Sequence, residues 1–182
     1  MIKDKIYPSE ELRGQNFVNE KFQNCKFALS AFKFSVFESC QFEYCDFSNS
    51  ILSSSTFEKC VFGESKLSLI NFKDANIIKC KFDKSILEGC TFEKQKLNDS
   101  VFIDSDLSST YFQNCDLRGA TIEKSNLFKT VFDHCKLAKA SLIGSSLSGT
   151  LFQDCKIEKT KIDIDGFIAF GQSKGFVLEG TK

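Results

Sequence analysis

The sequence predicts an all-β chain wound as a solenoid with four sides per coil. Two observations carry that expectation: a hydrophobic period of five that runs almost the length of the 182 residues, and a longer period of twenty laid over it. From Leu12 to Ile162, every residue whose number ends in 2 or 7 is Phe, Leu or Ile, 31 positions in all. Sixteen are Phe, 11 Leu and four Ile, a regularity chance does not produce. Repeats at a fixed period are the mark of arrays that bury a core by stacking.

Five is the wrong period for ordinary elements. Five steps of an α-helix rotate a side chain by about 140°, so large residues would spiral round the axis. In a straight strand, residues five apart point to opposite faces. A chain that turns a corner every five residues removes both conflicts. Each large centre and the residue two before it then share the inward side of a short extended segment. The two residues after the centre make the corner, and the one before it points out. All nine Cys (25, 40, 45, 60, 80, 90, 115, 135 and 155) lie two residues before a centre, where the other residues are mostly Ser, Thr and Ala. Large and small inward residues therefore alternate and fill a narrow tube.

The number of sides follows from the alternation of centres. From Phe62 to Leu117, Phe alternates with Leu or Ile. An even number of sides stacks Phe on Phe; three would mix them. Four sides give coils of twenty residues and columns such as Phe22, Phe42, Phe62, Phe82 and Phe102. Thirty-one pentads make nearly eight coils. At ~4.8 Å per stacked strand the rod is roughly 37 Å long. Residues 1–11 are expected to cap its first coil, 12–164 to form the coils, and 165–182 to cap the last and to offer a dimerisation segment. Phe167, Ile168, Phe170, Phe176, Val177 and Leu178 are the apolar residues available to cover the open end and face a second subunit. Gly166 and Gly171 count against a helix there.

Composition excludes several functions. With 24 basic and 24 acidic residues, the net charge of zero argues against a strongly basic nucleic-acid binder, and no direct nucleic-acid contact is expected. The start, Met1 to Lys5, is charged, and no run approaches ~18 apolar residues, so neither a secretory signal nor a membrane span is expected. Nine thiols, an odd number, suit reduced, buried cysteines and a cytoplasmic location. Columns of parallel thiols do not converge as a metal requires, so no metal or other cofactor is expected. The single His, His134, falls at a corner and is expected to be exposed without a role. No nucleophile, carboxylate pair or phosphate loop suggests an enzyme.

Stretches such as Cys115-Asp116-Leu117-Arg118-Gly119 and Ser125-Asn126-Leu127 resemble the consensus of the pentapeptide-repeat family, approximately Ala/Cys/Ser, Asp/Asn, Leu/Phe and two free positions. The resemblance covers about residues 10–164. It implies a right-handed quadrilateral β-helix. The Cys- and Phe-rich pattern is most similar to the Qnr, MfpA, AlbG and McbG group. That resemblance implies a rod that binds DNA gyrase or topoisomerase IV as a DNA mimic and protects it from quinolones or toxins, with a homodimer formed through the C-terminus. The alternative is an interaction scaffold for another protein. The side centred on Phe22 to Ile162 carries Glu43, Glu64, Asp83, Asp104 and Glu123, one acid per coil, as the candidate partner-binding face. Five Lys share that side, which weakens its field. Arg118, Lys136, Lys139, Lys156 and Lys159 lie together on another side, with Asp116 and Glu158 between them.

Overall fold

The computed structural model describes residues 1–7 and 12–180. The chain winds as a right-handed, four-sided parallel β-solenoid of about seven turns and ends in one helix. We number the sides by their centres: face 1 from Ile2 and Phe22, face 2 from Tyr7 and Phe27, face 3 from Leu12 and Phe32, face 4 from Phe17 and Phe37.

Face 1 holds a seven-stranded parallel sheet of β1 (Ile2–Lys3), β3 (Lys21–Gln23), β5 (Gln41–Glu43), β7 (Val61–Gly63), β9 (Lys81–Asp83), β11 (Val101–Ile103) and β13 (Thr121–Glu123). Each strand pairs with the next at an offset of twenty, as in Phe42↔Phe62 and Phe62↔Phe82. Face 4 carries β2 (Asn16–Val18), β4 (Val36–Glu38), β6 (Thr56–Glu58) and β8 (Asn76–Ile78). Face 3 carries β10 (Thr91–Glu93), β12 (Tyr111–Gln113), β14 (Val131–Asp133) and β15 (Leu151–Gln153). Elsewhere the coils touch through single bridges, such as Lys26↔Asp46 and Lys136↔Lys156.

The repeat starts earlier than Leu12. Ile2 pairs with Phe22, Ile6 bridges Lys26, and the ring of Tyr7 stacks on Phe27 at 4.8 Å. The described part of the expected cap, 1–7, is thus coil-like and lies over the first full turn, while 8–11 fall outside the described residues.

The core is the predicted one. Phe22, Phe42, Phe82, Phe102, Phe112 and Phe132 have no exposed surface. Rings in one column stack nearly parallel, as Phe62 on Phe82 at 5.0 Å and 5°. In the N-terminal half, Phe occupies centres on all four faces, and edge-on contacts join the columns, as Phe42 with Phe47 at 5.0 Å and 84°.

Corners come in two kinds, which the five-residue period does not distinguish. Tight corners close a turn bond from the N–H three residues after the centre, as Thr110 N–H to Leu107 O (3.1 Å). Extended corners follow a three-residue strand and lack that bond. On face 1 the N–H finds a side chain one coil on: those of Cys45, Ser65, Ser85, Ser105 and Ser125 donate to the Oγ of Ser65, Ser85, Ser105, Ser125 and Ser145 at 3.0–3.2 Å. Inward hydroxyls and thiols also donate to carbonyls 23 residues back, as Thr110 Oγ1 to Leu87 O (2.7 Å) and Cys60 Sγ to Phe37 O (3.3 Å). The small inward residues are therefore hydrogen-bond donors as well as filler, which a buried ladder of corner carbonyls requires. The corner residue two after each centre is left-handed almost throughout, with φ of 47–63° where it is not glycine.

The kind of corner changes on three faces: face 1 passes from extended at β13 to tight at Leu142, and faces 3 and 4 change together near the middle of the rod. Face 4 passes from extended at β8 to tight at Leu97, and face 3 from tight at Phe72 to extended at β10. Gln95, 7% exposed, fills that step on face 3: its Nε2 donates to Phe72 O (2.8 Å) and Ala75 O (2.9 Å). On face 4 the step leaves Ser100 Oγ as the one buried side-chain polar atom without a partner among the described residues.

The C-terminal helix α1 (Ile164–Ser173) lies over the open tube despite its glycines. Asp163 caps it, accepting from Gly166 N–H at 2.7 Å through Oδ1 and from Gly144 N–H at 2.5 Å through Oδ2. Both N–H groups hold the Asp163 carboxyl below its ordinary range. Gly166 is buried, and a Cβ there would sit 2.9 Å from Asp163 Oδ1 and 3.1 Å from Ile162 Cγ1. Its missing side chain lets the helix approach the last coil, so the residue that counted against a helix is what seats it. Residues 174–180 form no strand.

Candidate functional site

The five acids proposed for face 1 all point outward, but they do not form one line. Glu43, Asp83 and Glu123 end strands β5, β9 and β13, whereas Glu64 and Asp104 sit at left-handed corners one residue further on. The register Glu43↔Gly63↔Asp83 leaves a side chain missing between two carboxylates. Gly63 thereby opens a depression of about 280 Å³, lined by Glu43, Tyr44, Glu64, Asp83 and Lys84 among others. The structure thus brings Glu43, Glu64 and Asp83 together and places Asp104 and Glu123 on later coils.

Cations close on part of this ladder. Lys21 Nζ is 2.9 Å from Glu43, and Lys81 Nζ is 2.7 Å from Asp83. Tyr44 donates to Glu64 at 3.1 Å, and this bond to a carboxylate pushes the phenol pKa up. Ser141 donates to Glu123. Glu64, Asp104 and Glu123 are in no ion pair among the described residues, so three of the five acids face outward uncompensated.

The C-terminal apolar set divides in two. Phe170 packs edge-on against Phe152 at 5.6 Å, and Ile168 is half-buried, so these two cap the core. Phe167, Phe176, Val177 and Leu178 are 60–85% exposed and cover nothing in the single chain.

His134 lies at a corner and is exposed, as expected, but it is not solitary. Its Nδ1 is 2.6 Å from Asp133 Oδ1, which pushes the imidazole pKa up. Asp133 Oδ2 also accepts from Tyr111 OH (2.9 Å) and Gln113 Nε2 (3.3 Å). This small network is visible in the sequence only once coils are aligned at twenty, which sets Gln113 beside Asp133.

All nine cysteines are free thiols, and only Cys155 is more than marginally exposed. Burial pushes the Cys45 and Cys90 thiols up to about 12. Among the described residues, no three His, Cys, Asp or Glu side chains converge to hold a metal. No helix is long and apolar enough to cross a membrane.

Comparison with known families places the repeat. The family described as pentapeptide repeat region matches residues 85–162, and pentapeptide repeats (8 copies) matches residues 50–93. A comparison with curated protein sequences returns no match. Among solved structures, full-length QnrB1, described as a plasmid-mediated fluoroquinolone resistance protein, is similar at 15% identity and TM-score 0.45, covering 94% of this chain and 95% of that one. HetL, a pentapeptide repeat protein involved in heterocyst differentiation regulation from Nostoc sp. strain PCC 7120, is similar at 16% identity and TM-score 0.33, covering 88% of each chain. Rfr23 from Cyanothece 51142 is similar at 17% and TM-score 0.31, covering 88% of this chain and 90% of that one. At these identities the likeness is one of fold.

Proposed function

The chain belongs to the pentapeptide-repeat family, and from that premise we propose that it is a non-enzymatic rod that docks on DNA gyrase or topoisomerase IV. In this reading, face 1 lies where the enzyme holds DNA and shields it from quinolones or toxins. One observation carries it: an unbroken face presents one acid per coil from Glu43 to Glu123, and three of those acids have no cation paired to them.

Magnitudes limit the mimicry. One acid per ~4.8 Å coil is about a third of the charge density of a duplex, which carries one charge per ~1.7 Å. Binding should therefore be modest and salt-sensitive. A supercoiling assay with gyrase and a fluoroquinolone tests it. The protein should restore supercoiling, and the Glu64→Lys, Asp104→Lys, Glu123→Lys triple variant should not. Failure of the unaltered protein to bind gyrase at tens of micromolar would sink the proposal.

Two further assignments belong to it. Phe167, Phe176, Val177 and Leu178 would be covered by a second copy, read out by sedimentation of the protein with and without residues 175–182. Nine free thiols suit a reducing cytoplasm. A second reading, a scaffold for another protein partner, is favoured by Lys21 and Lys81, which neutralise two of the acids. It expects partner capture with no effect on supercoiling.

A further inference from the structure

Whole-chain charge is zero, yet face 4 is not neutral. From Lys96 to Lys159 its outward positions carry six cations, Lys96, Arg118, Lys136, Lys139, Lys156 and Lys159. They carry three acids, Asp99, Asp116 and Glu158, so the difference is 6 − 3 = +3. Arg118 and Asp116 satisfy each other through a two-pronged contact at 2.6 and 2.8 Å. The five lysines are exposed and in no ion pair among the described residues. Nothing on face 1 compares, since two of its lysines are held by carboxylates.

The fold arranges these lysines. Lys136 bridges Lys156 in parallel register, and Lys96 lies further down the same column beyond Asp116. Lys139 and Lys159 form a second row at the left-handed corner. Between the rows stands Ala138, whose short side chain leaves two depressions of about 500 and 340 Å³ that share Arg118, Ala138 and Glu158. The result is a furrow along the rod with ammonium groups on both banks.

We propose that this furrow binds the sugar–phosphate backbone of duplex DNA. The residue types favour it over a protein partner. Protein interfaces are depleted of Lys and rely on aromatic and Arg anchors. Here Ile157 is the one large apolar side chain exposed, and Arg118 is already engaged. The absence of an aromatic on this stretch also removes the stacking platform that single strands need. A shallow furrow with no projecting loop reaches outer phosphates and reads no bases, so the contact is independent of sequence. This departs from the expectation of no nucleic-acid contact, because a net charge averages over faces that a partner meets one at a time. It does not rest on topoisomerase binding, and its variants lie on a different face.

Fluorescence anisotropy with a labelled 20-base-pair DNA duplex and the full chain tests the inference. With four lysines releasing counterions, log K should fall with log salt at a slope of about −3.6, roughly a 100-fold loss between 50 and 200 mM. The combined Lys136→Glu, Lys139→Glu, Lys156→Glu, Lys159→Glu variant should lose measurable binding. Replacing the same four by Gln keeps the test valid if the reversal disturbs folding. Lys21→Glu with Lys84→Glu on face 1 should leave binding unchanged. The inference is overturned by no binding at about 100 μM protein in 50 mM salt, the weak end of non-specific affinity. Unchanged binding after both sets of lysine replacements also overturns it. So does tighter binding of a duplex RNA, a single strand or a polyglutamate than of the DNA duplex.

Discussion

Truncating Phe42 to Ala should cost about 5 kcal/mol, near the top of the range for such changes. Its ring has no exposed surface and stacks between Phe22 at 5.0 Å and Phe62 at 4.9 Å. It also meets Phe47 at 5.0 Å and Phe37 at 5.6 Å edge-on. Removing about 120 Å² of buried apolar surface at ~25 cal/mol per Å² loses about 3 kcal/mol. The stacked and edge contacts add roughly 0.5–1 kcal/mol each beyond area, so the sum reaches about 5. The hole cannot collapse, because each neighbour is pinned by a backbone ladder to the coils above and below. Phe152 is the internal control. It is half-buried at the last coil, with one stacked partner, Phe132 at 5.1 Å, and Phe170 edge-on. Phe152→Ala should cost about half as much, and Phe42→Leu about 2–3 kcal/mol, because Leu keeps most of the buried area but loses the ring contacts. Equilibrium urea unfolding of the three variants gives the comparison. A Phe42→Ala cost below about 2 kcal/mol, or equal costs at the two sites, would refute the rigid-column argument.

Other outcomes follow from the same geometry. Ser100→Ala removes an unpartnered buried hydroxyl and should stabilise the chain by about 1 kcal/mol in the same unfolding assay, whereas a loss of that size would show a hidden partner. Gln95→Leu should cost about 3 kcal/mol by orphaning Phe72 O and Ala75 O, and Gln95→Glu more, since a carboxylate offers no N–H; a neutral Gln95→Leu would contradict the role given to this side chain. A thiol reagent at pH 8 should label Cys155 first, with the other eight thiols reacting only on unfolding; rapid labelling of several would show that the coils open. The His134 ring should titrate above its ordinary 6.5 by NMR, and Asp133→Asn should lower it. A raised imidazole pKa adds stability that is full below 6.5 and is lost as pH rises through the folded value, so melting should decline slightly over that window.

What the sequence made legible was whatever the period controls. Phe22 to Phe102 lie in one column, Cys40, Cys60 and Cys80 in another, and both were readable from number alone. Side-chain size alternates along the tube, so the number of sides also followed. The two kinds of corner were not readable, because tight and extended corners use the same five residues and differ in where one N–H goes. The serines at 65, 85, 105, 125 and 145 were a signal at the right spacing, since an unbroken serine column points to a hydrogen-bond ladder. The start of the repeat was missed because Ile2 and Tyr7 keep its phase while the residues between them do not match its composition. On the surface, the acids of face 1 were placed on the correct side. Their zigzag was hidden because neighbouring sequence positions, such as 63 and 64, stand in different columns.

Gln95 and Ser100 show how a uniform repeat carries a local event. They lie five residues apart in the coil where face 3 becomes extended and face 4 becomes tight. A stack of identical corners satisfies its carbonyls and N–H groups by translation, so each coil presents the groups its neighbour needs. Where the corner changes, translation fails, and the unmatched groups must be met by a side chain or left bare. Gln95 meets them on one face with an amide long enough to reach two carbonyls; on the other, Ser100 is left over. The outer surface changes at the same level. Below it lie the Phe-rich coils, with Leu29, Phe34 and Ile51 exposed; above it lies the lysine furrow of face 4. Since each coil packs only against its neighbours, the change of corner on faces 3 and 4 stays local, and the seven-stranded sheet of face 1 runs past it unbroken.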